Sequence, residues 1–188
     1  MSNIGQKELD HFHWLTMALS LPEEGVAKYF PDEPARIKRL VEVRWPHGPT
    51  CIRCLGDSIT KIETRSLFQC RKCRHQFSAT SGTALHRTRL PLGNWFQATE
   101  SLIHYHVDIS LRYHMPGHAL AQKLGIQYVA ARRIRKVVLA DIEEGGYNFL
   151  RSAVCVQALK IPTGVTAYSN DHLRWLVELR LSGLRFRS

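Results

Sequence analysis

Four of the five cysteines fall into two Cys-x-x-Cys pairs, Cys51 with Cys54 and Cys70 with Cys73, and fifteen residues separate the pairs. Thiolates at this spacing can all reach one zinc ion, at a zinc–sulfur distance of about 2.3 Å. Soft sulfur ligands favour zinc, and four of them leave no open position for a reacting water. The sequence therefore predicts one structural Zn²⁺ per chain. Redox dithiols or unrelated thiols are the alternative, which two pairs at this separation disfavour.

Short strands must hold these cysteine pairs together. Strand-forming sequences lie at 59–63, 66–69 and 76–80, which is the plan of a zinc ribbon. In so small a unit the free energy of metal binding is folding free energy. The fifth cysteine, Cys155, lies in an apolar stretch and is predicted to be a small buried hydrophobe. Cysteines at metal-binding spacing, with one left over, indicate a reducing compartment.

The positive charge of the chain is concentrated in its middle. The formal net charge is +10, and residues 1–59 contribute −1, residues 60–140 contribute +10 and residues 141–188 contribute +1. Charge that serves only solubility would be spread along the chain and mixed in sign. A localised basic excess instead indicates a polyanionic partner, and we expect that partner to be nucleic acid.

The first third of the chain reads as short helices. Apolar residues recur at three- and four-residue steps over 7–19, a helix start is expected at 20–24, and another follows Asp32. No apolar run approaches the roughly 18 residues of a membrane span, and the N-terminus does not resemble a secretory signal. We therefore expect a cytoplasmic protein without a membrane partner.

A helix-turn-helix pattern follows the ribbon. A helix is expected over 92–106, and then a short helix over 118–124, a turn at Gly125 and a second helix over 128–140 follow at helix-turn-helix spacing. Ala131, Ile134 and Val138 would face the core. The alternative is an ordinary helical hairpin with a solvated basic face. The candidate DNA-binding residues are, on the ribbon and its exit, Arg71, Lys72, Arg74, Arg87 and Arg89, and on the second helix, Gln127, Tyr128, Arg132, Arg133, Arg135 and Lys136.

The predicted fold class is α+β and mostly α. We divide the chain into N-terminal helices (1–48), a four-cysteine zinc ribbon (49–90), a helix-turn-helix (91–142) and a C-terminal segment (143–188) with one helix. Ser169 is expected to cap that last helix, which would continue through Leu181.

Several motifs resemble, in order, the N-terminal region of a bacterial insertion-sequence transposase family. They cover roughly residues 28–138 and include FPDE at 30–33, RWPHG at 44–48, FQCRKCRHQFS at 68–78, TSGTALHRTRLPL at 80–92 and LAQKLGI at 120–126. The resemblance implies a DNA-binding unit that recognises the ends of a mobile element in the bacterial nucleoid. Two positions depart from the family. Leu55-Gly56 follows Cys54, whereas the first cysteine pair of the family usually continues as Cys-Gly. Gln127 replaces the Ser or Thr that commonly opens the recognition helix.

Members of this family also resemble one another in a downstream ribonuclease-H-like domain, in which three carboxylates hold two metal ions. After the helix-turn-helix this chain has only Asp141, Glu143, Glu144, Asp171 and Glu178. We therefore expect a DNA-binding protein that is not itself an enzyme. Two alternatives stay open. One is a DNA-binding subunit, self-associating or paired with a separate catalytic transposase chain, and the other is a zinc-ribbon adaptor that binds an acidic protein.

Overall fold

The computed structural model describes residues 5–107, 115–143 and 145–185. Helices dominate it, and one small sheet interrupts them, so the predicted fold class is confirmed. In chain order the described elements are α1 (Gln6–Leu19), α2 (Val26–Tyr29), α3 (Glu33–Arg44), β1 (Ile59–Ile62), β2 (Leu67–Cys70), β3 (Gln76–Phe77), α4 (Leu92–Val107), α5 (Gly117–Leu124), α6 (Tyr128–Ile142), α7 (Phe149–Val154) and α8 (Asn170–Arg185).

Helix α4 is the centre of the helical core. It packs against α1, α2, α3, α5, α6 and α7, and it buries Trp95, Phe96, Leu102 and Ile103. Apolar residues of α1, α3, α6 and α7 complete the same hydrophobic cluster. The segments expected before and after the ribbon thus share one core, and the four-part division of the chain stays a prediction.

Helix α2 begins later than expected. The sequence placed a helix start at 20–24, but Glu23 and Glu24 lie in a turn and the helix starts at Val26. The first free N–H group of α2, on Val26, donates to the Glu100 carboxylate of α4 over 2.9 Å. A partner this distant in sequence leaves no local signal, which explains the error.

The sheet has the order β1-β2-β3 with antiparallel neighbours, and Ile59 pairs with Cys70 and Phe68 with Phe77. It is joined to the end of α3 by Trp45, whose ring centroid lies 5.6 Å from those of both Phe68 and Phe77. Strand β3 ends at residue 77 and not at 80, because the Ser78 N–H donates to the Ser81 hydroxyl (2.9 Å) and turns the chain.

The C-terminal segment contains two helices where the sequence predicted one. The missed helix is α7, which is only six residues long and is capped from a distance. The buried Asp141 carboxylate of α6 accepts hydrogen bonds from the N–H groups of Phe149 (3.1 Å), Leu150 (2.7 Å) and Arg151 (3.4 Å). Burial raises the pKa of Asp141, and these three donors oppose the rise.

Helix α8 packs against α1. Leu176 is buried with Phe12 and Leu15, and the His172 N–H donates to the Ser169 hydroxyl (3.2 Å), which is the expected cap. The helix continues to Arg185, beyond the expected end at Leu181. None of the helices in the described part of the chain is both long and apolar enough to cross a membrane.

Candidate metal centre and nucleic-acid interface

The four predicted metal ligands come together at one end of the ribbon. Their sulfur atoms all lie within 4.8 Å of one another, and the Cys51–Cys73 and Cys54–Cys70 pairs are each 3.5 Å apart. A tetrahedron with zinc–sulfur bonds of about 2.3 Å has sulfur–sulfur edges of about 3.8 Å. The two 3.5 Å separations are close to that edge and the others do not exceed 4.8 Å, so the four cysteines can hold one metal ion, as predicted. In the described residues, no other group of three or more potential ligands lies this close together.

Each cysteine pair sits in a tight turn, which we call a knuckle: residues 51–56 form the first and residues 70–75 the second. The two knuckles have matching hydrogen bonds, from the Leu55 N–H to the Cys51 carbonyl and from the Arg74 N–H to the Cys70 carbonyl, both 2.9 Å long. Leu55 and Arg74 both have a φ of 58°, in the left-handed region. This conformation costs a residue with a side chain about 1–2 kcal/mol, a cost that glycine does not have.

Backbone N–H groups stabilise thiolates in the knuckles. Burial opposes ionisation of Cys51, but N–H groups of Cys54 and Arg53 outweigh it and lower the pKa of Cys51 to about 6. The N–H of Cys73 similarly lowers the pKa of Cys70. Cys73 itself receives an N–H from His75, yet burial and the neighbouring sulfurs raise its pKa to about 12. A divalent cation bound by the four sulfurs would stabilise the Cys73 thiolate, so Cys73 would no longer keep its proton. This donor set therefore suits Zn²⁺.

The cations predicted to contact phosphate are all exposed. They are Arg71, Lys72 and Arg74 in the second knuckle and Arg87 and Arg89 in the exit segment. The Arg71 guanidinium is held by a hydrogen bond from Nε to the Thr60 hydroxyl of β1 (2.8 Å). Arg53, which the sequence pattern did not mark as a site residue, is a fourth exposed cation of the two knuckles, and the knuckles contain no carboxylate. Arg53 is recognised as a site residue only in the folded structure, because the two knuckles bring it to the same end of the ribbon as the other three cations.

The helix-turn-helix pattern corresponds to α5, a tight turn and α6. Gly125 has a φ of +63°, and the Ile126 N–H donates to the Ala121 carbonyl (3.1 Å), which closes the turn. The expected core positions of α6 are confirmed: Ala131, Ile134 and Val138 are completely buried. Gln127 provides no side-chain cap for α6, in agreement with its departure from Ser or Thr.

The opposite face of α6 is open to solvent. Gln127, Tyr128, Arg132, Arg133 and Lys136 are exposed, whereas Arg135 is half-buried at the flank. The Arg132 guanidinium lies 5.8 Å from the centre of the Tyr128 ring, and both side chains pass close to Gly117 at the start of α5. Gly117 was not singled out by the sequence, since the close approach exists only once the two helices have packed.

The acidic residues from Asp141 onward do not gather at one place in the described structure. Asp141 is buried and caps α7, and Asp171 pairs with Arg174 (3.5 Å) on the exposed side of α8. Glu143 and Glu178 are exposed, and Glu144 lies outside the described residues.

Comparison with known proteins identifies the ribbon. Residues 31–76 match the profile of the transposase zinc-ribbon domain. An uncharacterized protein in the transposable element ISH50 of Halobacterium salinarum is 27% identical over 85 residues, which are 44% of this chain and 29% of that protein. The match thus spans less than a third of the relative's length. No solved structure matches the chain significantly.

Residues 31–76 of the chain are therefore a transposase-type zinc ribbon. The resemblance inferred from the motifs is confirmed for the ribbon and the helix that precedes it.

Proposed function

We propose that this chain is a sequence-specific DNA-binding protein that recognises the ends of a mobile element. Its zinc is structural, double-stranded DNA is its partner, and strand transfer is not performed by this chain. The proposal places the protein in the cytoplasm with the nucleoid, where bacterial DNA lies. The observation that carries it is the pairing of a zinc ribbon of the transposase type with an exposed cationic helix in helix-turn-helix geometry.

Helix α6 is proposed to read base edges in the major groove. Its buried positions fix it against α4 and α5, and Tyr128, Arg132, Arg133 and Lys136 project from the opposite side. An arginine on such a face can form two hydrogen bonds to a guanine, and each such contact discriminates by about 1–3 kcal/mol.

The ribbon is proposed to hold the phosphate backbone. Arg71, Lys72 and Arg74 are exposed residues of the second knuckle, which also supplies two of the four cysteines, and no carboxylate lies between them in that knuckle. A zinc bound by four thiolates carries a formal charge of −2, which the exposed cations of the knuckles exceed. Flexible exposed cations attract phosphate without regard to sequence.

The two roles are separated by comparing Arg133→Ala with Lys72→Ala. Binding is measured by fluorescence anisotropy on a duplex selected in vitro by the wild-type chain and on random duplexes, over a range of salt concentrations. Arg133→Ala should weaken selected-site binding by about 1–3 kcal/mol and random binding much less. Lys72→Ala should weaken both equally and reduce the slope of log K against log salt by about 0.9. Lys160→Ala, an exposed cation on neither surface, is the matched control.

Equal losses for Arg133→Ala on selected and random DNA would show that the helix-turn-helix is only a packing hairpin. If the wild-type chain binds no duplex, the adaptor alternative replaces the proposal. Metal-dependent nicking of DNA by a homogeneous preparation, abolished by Asp171→Ala, would overturn the statement that the chain has no strand-transfer activity.

A further inference from the structure

The first knuckle ends in an apolar tip that lies outside the hydrophobic cluster of the ribbon. Leu55 is 80% exposed and Ile52 is 37% exposed, and both lie in a turn of only six residues. The aromatic cluster that stabilises the ribbon, Trp45 with Phe68 and Phe77, is elsewhere. Leu55 therefore gives little apolar burial to the folded chain.

Leu55 also carries a conformational cost. Its φ of 58° is the left-handed conformation that glycine adopts without strain. The equivalent residue of the second knuckle, Arg74, has the same φ and presents a cation there. The two knuckles are thus alike in backbone and different in chemistry, with one tip apolar and the other cationic.

Cations flank the apolar tip. Arg53 lies between Ile52 and Leu55 in sequence and is exposed, and the Lys72 side chain passes beside Gly56, within 3.8 Å of where a Cβ would stand. The knuckles hold four exposed cations and no carboxylate. An apolar surface with this border suits a polyanion that also offers apolar area, and DNA does so through deoxyribose and base edges between its phosphates.

We infer that the tip formed by Ile52 and Leu55 enters a groove of the DNA duplex, while Arg53 and Lys72 pair with phosphates on either side. The inference rests on the proposed function and adds to it a contact of the ribbon that is apolar and is not electrostatic. Burial against DNA is what balances the strain and exposure of Leu55 in the free protein.

The test is Leu55→Gly in the full chain, compared with Leu55→Ala and Arg74→Gly on random duplexes. Leu55→Gly should weaken DNA binding about tenfold through lost apolar burial and leave the salt slope unchanged. Since it relieves the backbone strain, it should also raise about two- to tenfold the chelator concentration that removes half of the zinc. Leu55→Ala should lose binding without that gain. Arg74→Gly should show the gain but lower the salt slope by about 0.9.

The outcomes separate this inference from the proposed function. Weaker binding by a variant that holds zinc more tightly supports the tip contact, because a folding defect would move both readouts together. Wild-type affinity for Leu55→Gly overturns it and leaves the proposed function standing, whereas a wild-type chain that binds no duplex overturns both. If sedimentation shows a dimer that Leu55→Gly dissociates, with DNA affinity unchanged, the tip contacts a second copy of the chain and the inference is wrong.

Discussion

Removing one zinc ligand should unfold the ribbon and leave the helical core folded. The two units have separate hydrophobic clusters: Phe68 and Phe77 pack with the cysteines and Trp45, whereas the core around α4 buries other residues. Cys70 is completely buried and belongs to both β2 and the metal cluster. Cys70→Ser therefore removes the stabilisation of the ribbon by bound zinc and leaves the apolar contacts of the core unchanged.

The size of this effect follows from comparing zinc binding with the apolar burial that also stabilises the ribbon. Full burial of Phe68 and Phe77 contributes roughly 1.5–3 kcal/mol each, or about 3–6 kcal/mol together. Zinc binding in comparable small units contributes about 10–16 kcal/mol. The metal is thus the larger contribution by about a factor of two or more, and the two rings cannot order the ribbon without it.

The assay is hydrogen exchange resolved by peptide, together with zinc content measured under reducing conditions. Wild-type protein should contain one zinc, and Cys70→Ser or chelation should abolish protection at β1, β2 and β3 while α4 stays protected. Cys155→Ser is the matched control, since this half-buried thiol lies outside the cluster and donates weakly to the Met17 carbonyl (3.6 Å).

Two results would contradict this prediction. Unchanged protection of the strands in the zinc-free protein would mean that the metal does not hold the ribbon. Simultaneous loss of protection in α4 would mean that ribbon and core unfold as a single unit.

Three further predictions concern the helical part. Acidification from about pH 7.5 to about pH 5.5 should lower the thermal midpoint of unfolding. Burial lowers the pKa of His11 (with help from the charge of Arg180) and of His172, so the unfolded chain binds more protons and stability is lost as pH falls below about 6.5. His172→Gln, which retains a hydrogen-bond acceptor, should reduce this pH dependence. Gly117→Ala should weaken DNA binding more than it lowers stability, since its Cβ would stand 3.0 and 3.1 Å from side chains on the exposed face of α6; anisotropy and thermal melts check this. Asp141→Ala should destabilise the chain by about 1–2 kcal/mol through loss of the α7 cap, as measured by denaturant unfolding.

The sequence carried most information where one local pattern determines the structure. The spacing of the cysteines was sufficient to predict the metal cluster, because two residues between thiolates are enough to aim both at one ion. The three- and four-residue steps of Ala131, Ile134 and Val138 likewise predicted the buried face of α6. Each cysteine pair and the buried face of α6 depend on residues three or four positions apart.

Features that depend on distant partners were missed or misplaced. Helix α2 is capped by Glu100, which is 74 residues away, and α7 by Asp141, a carboxylate that would otherwise be read as a surface acid. Strand β3 was overextended for a local reason, because its residues favour strands while the Ser78–Ser81 hydrogen bond turns the chain and ends it. Arg53 was missed as a site residue because its position matters only after the two knuckles have met.

The junction between ribbon and core determines how the two proposed DNA contacts depend on the metal. The Arg44 guanidinium lies 4.5 Å from the Trp45 ring and donates to the Ala79 carbonyl over 2.9 Å, so it joins the aromatic cluster of the ribbon to a residue of the helical core. The folded ribbon is therefore held in a fixed relation to the core, although its stability comes from the metal. Helix α6 is anchored by Ile134 and its buried neighbours and needs no metal to form. Loss of zinc would then remove the proposed contacts of the ribbon with phosphate, which would lower affinity for every sequence alike, and would leave the proposed base-reading face of α6 intact. In the proposed complex the metal would set how tightly the protein holds DNA, and α6 would set which sequence it prefers.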